Sequence, residues 1–574
     1  MTRVEDAFAG VAAADRPEVW IHLRDQADVE ADAAQAEGPL AGLLLAVKNN
    51  VDVAGIPTTA ACPAFAAGPA GSDATAVARL KAAGATVLGA TNLDQFATGL
   101  VGQRSPYGRV RDARRPTHIS GGSSSGSAVA VALGLVDIAI GTDTAGSGRV
   151  PAGLQGIVGI KATLGVVSTD GVVPACRSWD AVTILARDID TAATAMGAMA
   201  GGPGTRAWPA DAPLAAPATA RIAVPDELPA MAPGWTEAFE AAADRLRADG
   251  CVVEPIPFAS FLQAAKLLYE GGLVAERHAA VGAFVDAHPD DVDPTVGGII
   301  SAAGTIRASD MVADLERLER LRRESMALLD GFDALLVPTA PCHPTVDEVA
   351  AEPVAANARM GTYTNFCNLF DLCAVAVPSG TVEGPDGTAQ FGVTVVARPF
   401  HDAVALDLGR RVELASEPVA LRGAAPSVAD PGPWPVVAGS SSTDLFVVGA
   451  HLVGQPLEHQ LRSRGARWVG AAATADAYSL KALDTTPPKP GLVRVGEGGA
   501  SIVGEIWQLS DAALGSFLAE LPAPMTLGSV ELDDGRVVIG FGCDAETAAA
   551  ADDITGFGGW LSYLAGSSRY WPKV

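Results

Sequence analysis

The chain is poor in basic residues: 40 Lys and Arg stand against 66 Asp and Glu, for a formal net charge of −26. A field of that sign repels phosphate backbones and anionic lipid surfaces, which argues against nucleic acid and membrane as partners. Salt screens it over about 8–10 Å, so one local Arg can still hold a small anion. The sequence also lacks any CxxC pair. Its seven cysteines, at 62, 176, 251, 342, 367, 373 and 543, are scattered and odd in number, the pattern of reduced, buried thiols rather than of a disulfide framework. HExxH is absent and the eight histidines show no recognised zinc spacing, so neither a metal nor another cofactor is expected. Long apolar runs are missing too. The most apolar stretch, SAVAVALGLVDIAIG, is interrupted by Asp137 and falls short of the roughly 18–20 residues of a membrane span. The first twenty residues carry acids early and no uninterrupted apolar stretch, unlike a secretory leader. A soluble cytoplasmic protein is the expectation.

What is present is apolar bulk and length. Hydrophobic residues make up 49% and charged residues 18% of the chain, enough to bury a large core. Its 574 residues exceed one ordinary core, so two or more units are expected. The segment GAAPSVADPGPWPVVAGSSS, 423–442, concentrates Pro, Gly, Ala and Ser without periodicity, as an interdomain linker does. The expected division is 1–425, a linker over 426–442, and 443–574. In the first part short β-branched runs (Leu43 to Val47, Thr86 to Leu88, Ile138 to Ile140, Leu335 to Val337, Ala374 to Val377) alternate with helical patterns, which argues for an α/β unit. Met311, Leu315, Leu318 and Leu321 recur at helical spacing among charged residues, predicting a surface helix whose apolar stripe faces the core. From Leu445 onward LFVVGAH, GLVRV, SIVGEIWQL and RVVIGFG are separated by Gly, Pro and Asp, the pattern of a small, strand-rich α+β domain.

Chemistry is concentrated between Ile119 and Thr163. The run Gly121-Gly122-Ser123-Ser124-Ser125-Gly126-Ser127 reads by itself as a flexible connection. It leads, however, into an apolar helix-like segment, then a strand, then the tight turn Thr144-Ala145-Gly146-Ser147-Gly148. Such a turn presents successive backbone N–H groups together with a serine hydroxyl, an arrangement that serves acyl transfer. The N–H groups of Thr144, Ala145, Gly146 and Ser147 would hold an oxyanion while Ser147 attacks. A serine hydroxyl needs a base, and none of the histidines is a persuasive one. Lys48 follows the strand-like LLLAV, which would carry it into a desolvated site where the neutral amine becomes accessible. Standing alone, it would read as an ordinary surface lysine. Asp143 reads as an acceptor that fixes the turn, and Arg149 as the partner of a nearby carboxylate.

AVKNNVDVAG, TNLDQFATG, ISGGSSSGSAVAVA and GTDTAGSGRVPA occur in that order and together resemble the amidase signature family over most of residues 1–425. The resemblance implies an α/β fold with a mixed central sheet covered by helices. It also implies a Ser-Ser-Lys triad, with Lys48 as base, Ser123 as proton relay behind a nonproline cis peptide, and Ser147 as the nucleophile that forms an acyl-enzyme. Gly122 is placed beside the substrate. The segment TYTNFCNLFDLCAVAVP matches the family's later core, and its Asn365 and Asn368 either line the pocket or satisfy backbone.

Within that family LLYEGGLVAERHAAVGAF is similar to the region in which allophanate hydrolases hold their substrate with a tyrosine and an arginine eight residues later. Tyr269 and Arg277 have that spacing. A guanidinium and a phenol suit the carboxylate of allophanate, a urea that bears a carboxylate; the structural alternative is a helix-surface Arg beside a core Tyr. LFVVGAHLVGQPLEHQLRSRGARWVG, PPKPGLVRV, GEIWQL and DITGFGGWLSYLA resemble the C-terminal domain of the same branch, whose fold resembles γ-glutamyl cyclotransferase. The combined resemblance implies hydrolysis of allophanate to ammonia and carbon dioxide, the last step of urea degradation, by a homodimer that associates with a urea carboxylase. His451, His459 and Glu505 are candidates for processing the first product, against ordinary structural roles. Two other readings stay in view. One is an amidase-signature hydrolase of another small amide, or the amidase component of a tRNA-dependent amidotransferase. The other is a catalytically silent scaffold.

Overall fold

Runs such as LLAVK, TVLGAT and IAIGTD are apolar on both faces, the signature of strands covered by helices on either side. In a computed structural model of the protein, which describes residues 2–414 and 432–566, each of them is a fully buried strand. The chain divides into two compact units, Met1–Ala207 with Thr219–Gly439, and Trp208–Ala218 with Ser440–Val574.

Eleven described strands of the first unit form one sheet: β1 (Trp20–Leu23), β2 (Leu44–Lys48), β3 (Thr86–Thr91), β4 (Ile138–Asp143), β5 (Val158–Lys161), β6 (Ala181–Ala186), β7 (Arg221–Pro225), β8 (Val252–Ile256), β9 (Ala334–Pro338), β10 (Cys373–Gly384) and β11 (Gly387–Ala397). Their order is β1-β3-β2-β4-β6-β5-β10-β11-β9-β7-β8. The sheet is mixed: β2 runs parallel to both β3 and β4, and β7 to β8 and β9, while the centre is antiparallel. The α/β expectation holds, and all five strand runs read from the sequence are strands. Ser125–Ala132 becomes a helix buried on every side, as a helix of Ser, Gly, Ala and Val without a polar face must be. Its Gly126 is pressed so closely on the chain that a Cβ there would lie 2.3 Å from Val19 O.

The stripe on the helix Ala308–Leu328 is core only over its second half. Leu318 and Leu321 are buried, whereas Leu315 is 39% exposed; a 21-residue helix outruns the surface it packs on.

In the second unit β12 (Ser442–Val447), β13 (Arg467–Ala473), β16 (Val503–Ser510), β17 (Met525–Glu531) and β18 (Val537–Cys543) form a sheet in the order β13-β16-β12-β18-β17. β14 (Tyr478–Leu483), β15 (Lys489–Arg494) and β19 (Asp552–Asp553) form a second, three-stranded sheet. Phe446, Trp507, Phe517 and Phe541 anchor this unit's core. The expected linker falls partly outside the described residues, at 426–431; beyond it Trp434–Val437 forms a short helix in the first unit and β12 begins at Ser442. Trp208–Ala218, read above as part of the first domain, belongs to the second unit. Leu214 N and Ala215 N donate to Gly465 O at 2.9 and 3.1 Å, and Ala512 N donates to Ala210 O at 3.1 Å. Nothing in its composition marks this excursion, because backbone hydrogen bonds are independent of side-chain identity.

Candidate active site

Parallel pairing of β2 and β4 in the register Val47↔Ile140 brings their C-terminal ends together, where α/β sheets place their ligand crevices. Lys48 ends β2 and Thr142 lies at the end of β4. The Lys48 ammonium donates to Thr142 Oγ1 at 2.7 Å and to Ser123 Oγ at 2.8 Å. The side chain is fully buried, and burial brings its pKa down to about 7, with Asp94, Asp143 and Asp180 pulling the other way. Water is withheld from the charged form, so the neutral amine is populated near neutrality.

Ser123 follows a cis peptide bond from Gly122. Gly122 is held by close approach: a Cβ there would lie 2.2 Å from Asp94 Oδ2 and 2.6 Å from Gly102 N. Asp94 itself is fully buried. Its backbone N–H donates to Ser123 O at 3.2 Å, and its carboxylate accepts from the amides of Val101, Gly102, Gln103 and Arg104 at 2.9–3.2 Å. The Asp94 carboxylate therefore gathers the amides of residues 101–104, while its backbone N–H holds the carbonyl of Ser123. Between Asp94 and that loop, Phe96 and Ala97 take positive φ, 51° and 53°, a conformation that costs a non-glycine residue energy and needs rigid surroundings. Asp94 stands in the motif TNLDQFATG, but an isolated Asp gives no sign of which amides it will collect.

Ser147 Oγ donates to Gly99 O at 3.4 Å. Its turn is fixed from below by Asp143, whose carboxylate accepts from Gly146 N (2.8 Å), Gly148 N (3.1 Å) and Arg149 N (3.3 Å). Arg149 grips the same carboxylate through Nε and Nη2 at 3.0 and 2.9 Å, with no exposed surface on either side chain. Burial pushes Asp143 up, but the Arg149 charge and its hydrogen bonds outweigh it and hold the carboxyl below its usual range. Both residues thus take the roles read from the sequence. Gly146 differs from expectation: its N–H is already taken by Asp143, which leaves the amides of Thr144, Ala145 and Ser147 without a protein acceptor among the described residues. Thr144 Oγ1 donates to Asp180 Oδ1 at 2.5 Å, securing the start of the turn. Asn368 serves backbone and network: Nδ2 donates to Asp143 O and Trp179 O, and Oδ1 accepts from Arg149 Nη2.

Tyr269 and Arg277 do come together. Arg277 Nη2 donates to Tyr269 Oη at 3.2 Å, and its guanidinium lies 5.0 Å from the ring centre. Nη1 donates to Thr98 Oγ1 at 3.0 Å, one residue from the carbonyl that holds Ser147. The guanidinium is buried, its Nε has no partner, and no carboxylate among the described residues lies within ion-pair distance. Asp180, beyond ion-pair distance, helps to favour the charged guanidinium, and a buried cation without a direct ion pair is positioned to meet an arriving anion.

A family model described as "Amidase" matches residues 17–406, and one described as "Allophanate hydrolase C-terminal domain" matches 443–565. The chain belongs to the amidase family. Among relatives, the urea amidolyase of Lachancea kluyveri is 42% identical over 575 residues, covering 95% of this chain and 31% of that protein. The chain therefore spans about a third of the length of the curated urea amidolyase it matches. The 2-amino-5-chloromuconic acid deaminase of Comamonas testosteroni is 33% identical over 373 residues, 62% of this chain and 78% of its own. Among solved structures, selenomethionine-substituted allophanate hydrolase of Kluyveromyces lactis superposes with a TM-score of 0.87 at 37% identity, covering 98% of this chain and 97% of the other.

Lys48 and Ser123 are hydrogen-bonded to one another, whereas the described hydrogen bond of Ser147 Oγ goes to Gly99 O rather than to Ser123. The C-terminal candidates share no hydrogen bond with one another among the described residues. His451 is buried, stacked on Phe541 at 4.9 Å, and its Nε2 pairs with Gln460 Oε1 at 2.9 Å; burial holds its pKa down to about 4. His459 is exposed, its Nδ1 on Pro456 O. Glu505 accepts from Val453 N and Trp507 Nε1. His451 lines a small cavity of about 10 Å³ shared with Lys489 and Phe541.

Proposed function

We propose that the chain hydrolyses allophanate, and that the observation carrying this reading is the buried Arg277, paired with Tyr269 and lacking a carboxylate of its own, one residue's reach from the partner of Ser147. An anionic substrate supplies the missing charge. With its carboxylate on Arg277 and Tyr269, the terminal amide carbon faces Ser147 Oγ. Neutral Lys48 accepts the proton of Ser123, Ser123 accepts that of Ser147, and Ser147 Oγ forms a bond to the amide carbon. The carbonyl oxygen gains the negative charge and is met by the free amides of the 144–147 turn. The C–N bond then breaks, and ammonia leaves with a proton returned through Ser123. Water repeats the relay on the acyl-enzyme and releases N-carboxycarbamate, which loses carbon dioxide on its way to ammonia and carbonate species. A homodimer and a urea carboxylase as partner belong to the same reading, as do the domain bounds 1–425 and 443–574.

The test is ammonia release by the purified protein offered allophanate, urea, malonamate, biuret and a simple amide side by side. Turnover of allophanate that disappears with Ser147→Ala and drops steeply with Arg277→Ala supports the reading. Turnover of the simple amide alone, indifferent to Arg277, keeps the hydrolase and removes allophanate as substrate.

A further inference from the structure

Asn365, next in sequence to the Thr364 that bonds the Ser147 turn, carries an unmet acceptor. Its Nδ2 donates to Ala265 O at 3.2 Å, which fixes which end of the amide faces which way. Its Oδ1 is buried with no hydrogen-bond partner among the described residues, and the residue is 5% exposed. Buried carbonyl oxygens are nearly always satisfied, because one that is not has given up its hydration for nothing. Asn368, three residues on in the same short helix, shows the ordinary outcome, with both ends of its amide engaged.

The neighbours of Asn365 set its position. Ala265 and Tyr269 are four residues apart on the helix Ala259–Glu270, and so share one face of it. On the other side, Thr364 Oγ1 donates to Ala145 O at 2.7 Å, and Thr364 O accepts from Arg149 Nη1 at 3.1 Å. Asn365 thus touches the helix that carries Tyr269, its neighbour Thr364 touches the turn that carries Ser147, and Asn365 Oδ1 itself packs over Gly361.

Allophanate presents more hydrogen-bonding groups than the proposed contacts use. Arg277 and Tyr269 meet its carboxylate and the turn amides meet its carbonyl oxygen. The terminal nitrogen leaves as ammonia and must stay open to the proton from Ser123. What is left is the N–H between the two carbon centres, a donor that the chemistry neither consumes nor protonates. We infer that Asn365 Oδ1 accepts a hydrogen bond from this central N–H and so separates allophanate from malonamate, which has a methylene at that position. The inference rests on the allophanate reading above. It assigns to Asn365 a specificity role that Asn368 does not share.

The experiment measures kcat/KM for allophanate and the inhibition constant of malonamate against it, for the wild-type protein, Asn365→Ala and Asn365→Leu, with a thermal melt of each. Wild-type protein is expected to favour allophanate. In the folded variants kcat/KM for allophanate is expected to fall about 10- to 100-fold, the worth of one buried hydrogen bond, while the malonamate constant moves by less than about threefold. Equal losses on both ligands in a folded variant, or no loss on either, overturn the inference. So does wild-type protein that binds the two equally well, a measurement that needs no variant. If allophanate is not turned over, or its turnover survives Ser147→Ala, the underlying reading fails instead, whatever Asn365 does.

Discussion

The two units treat buried polar groups in opposite ways. In the first, Lys48, Asp94, Asp143 and Arg149 have no exposed surface, and each is bonded: Lys48 to Ser123 and Thr142, Asp94 to the amides of 101–104, and Asp143 to Arg149. In the second, His451 is buried singly among aromatic rings, His459 sits at the surface, and Glu505 is tied to a backbone amide and an indole. Charge taken from water is tolerated where a complete network receives it. Among the described residues the first unit builds such contacts, and they hold Lys48, Ser123 and the turn of Ser147 in place.

That contrast breaks most sharply on Ser147. Ser147→Ala is expected to lower ammonia release from allophanate by about 10⁴-fold or more; retention of the rate would reduce the interlocked set to scaffolding. Arg277→Ala is expected to lower kcat/KM for allophanate about 10²- to 10³-fold, the usual range for removing one side of a buried charge contact, while a neutral amide is hardly affected. Asp143→Asn leaves Arg149 buried beside a neutral group and is expected to destabilise the protein by about 3–5 kcal/mol in denaturant titration.

A pH profile sharpens the comparison. With the Lys48 pKa near 7, the amine is protonated below that pH, so kcat/KM for allophanate is expected to decline on the acid side of about pH 7. Asp94→Asn removes a charge that favours the ammonium and should move this limb to lower pH. In the second unit His451→Gln is expected to leave ammonia release unchanged, and the effect there falls on stability. The His451 pKa is held at about 4 against an ordinary 6.5. Its neutral form therefore contributes stability in full above about pH 6.5, and that contribution is lost as pH falls toward 4. The variant's melting temperature should vary less across that window. A large loss of ammonia release in His451→Gln would instead join the two units functionally.

Strand positions were legible because β-branched runs bounded by turn residues are a local pattern, and the candidate residues Lys48, Ser123 and Ser147 could be singled out because their motifs are contiguous. Asp94 was not legible as a hub: its partners lie seven to ten residues on and are backbone amides, which leave no trace in side-chain identity. The engagement of the Gly146 N–H by Asp143, the exposure of Leu315 and the membership of Trp208–Ala218 in the second unit escape for related reasons. Each depends on what lies across a gap in space.

By itself the sequence determined which chemical groups are available: a lysine at the end of an apolar strand, serines in two glycine-bracketed turns, and a tyrosine and an arginine eight residues apart. Only the tertiary structure decided their states. Parallel pairing of β2 with β4 carried Lys48 out of water and lowered its pKa, Asp143 and Arg149 neutralised one another within the core, and Arg277 and Asn365 were left with unmet capacity. Protonation and hydrogen-bond satisfaction depend on the dielectric and the neighbours that folding brings, and these are properties of the assembled unit rather than of any segment.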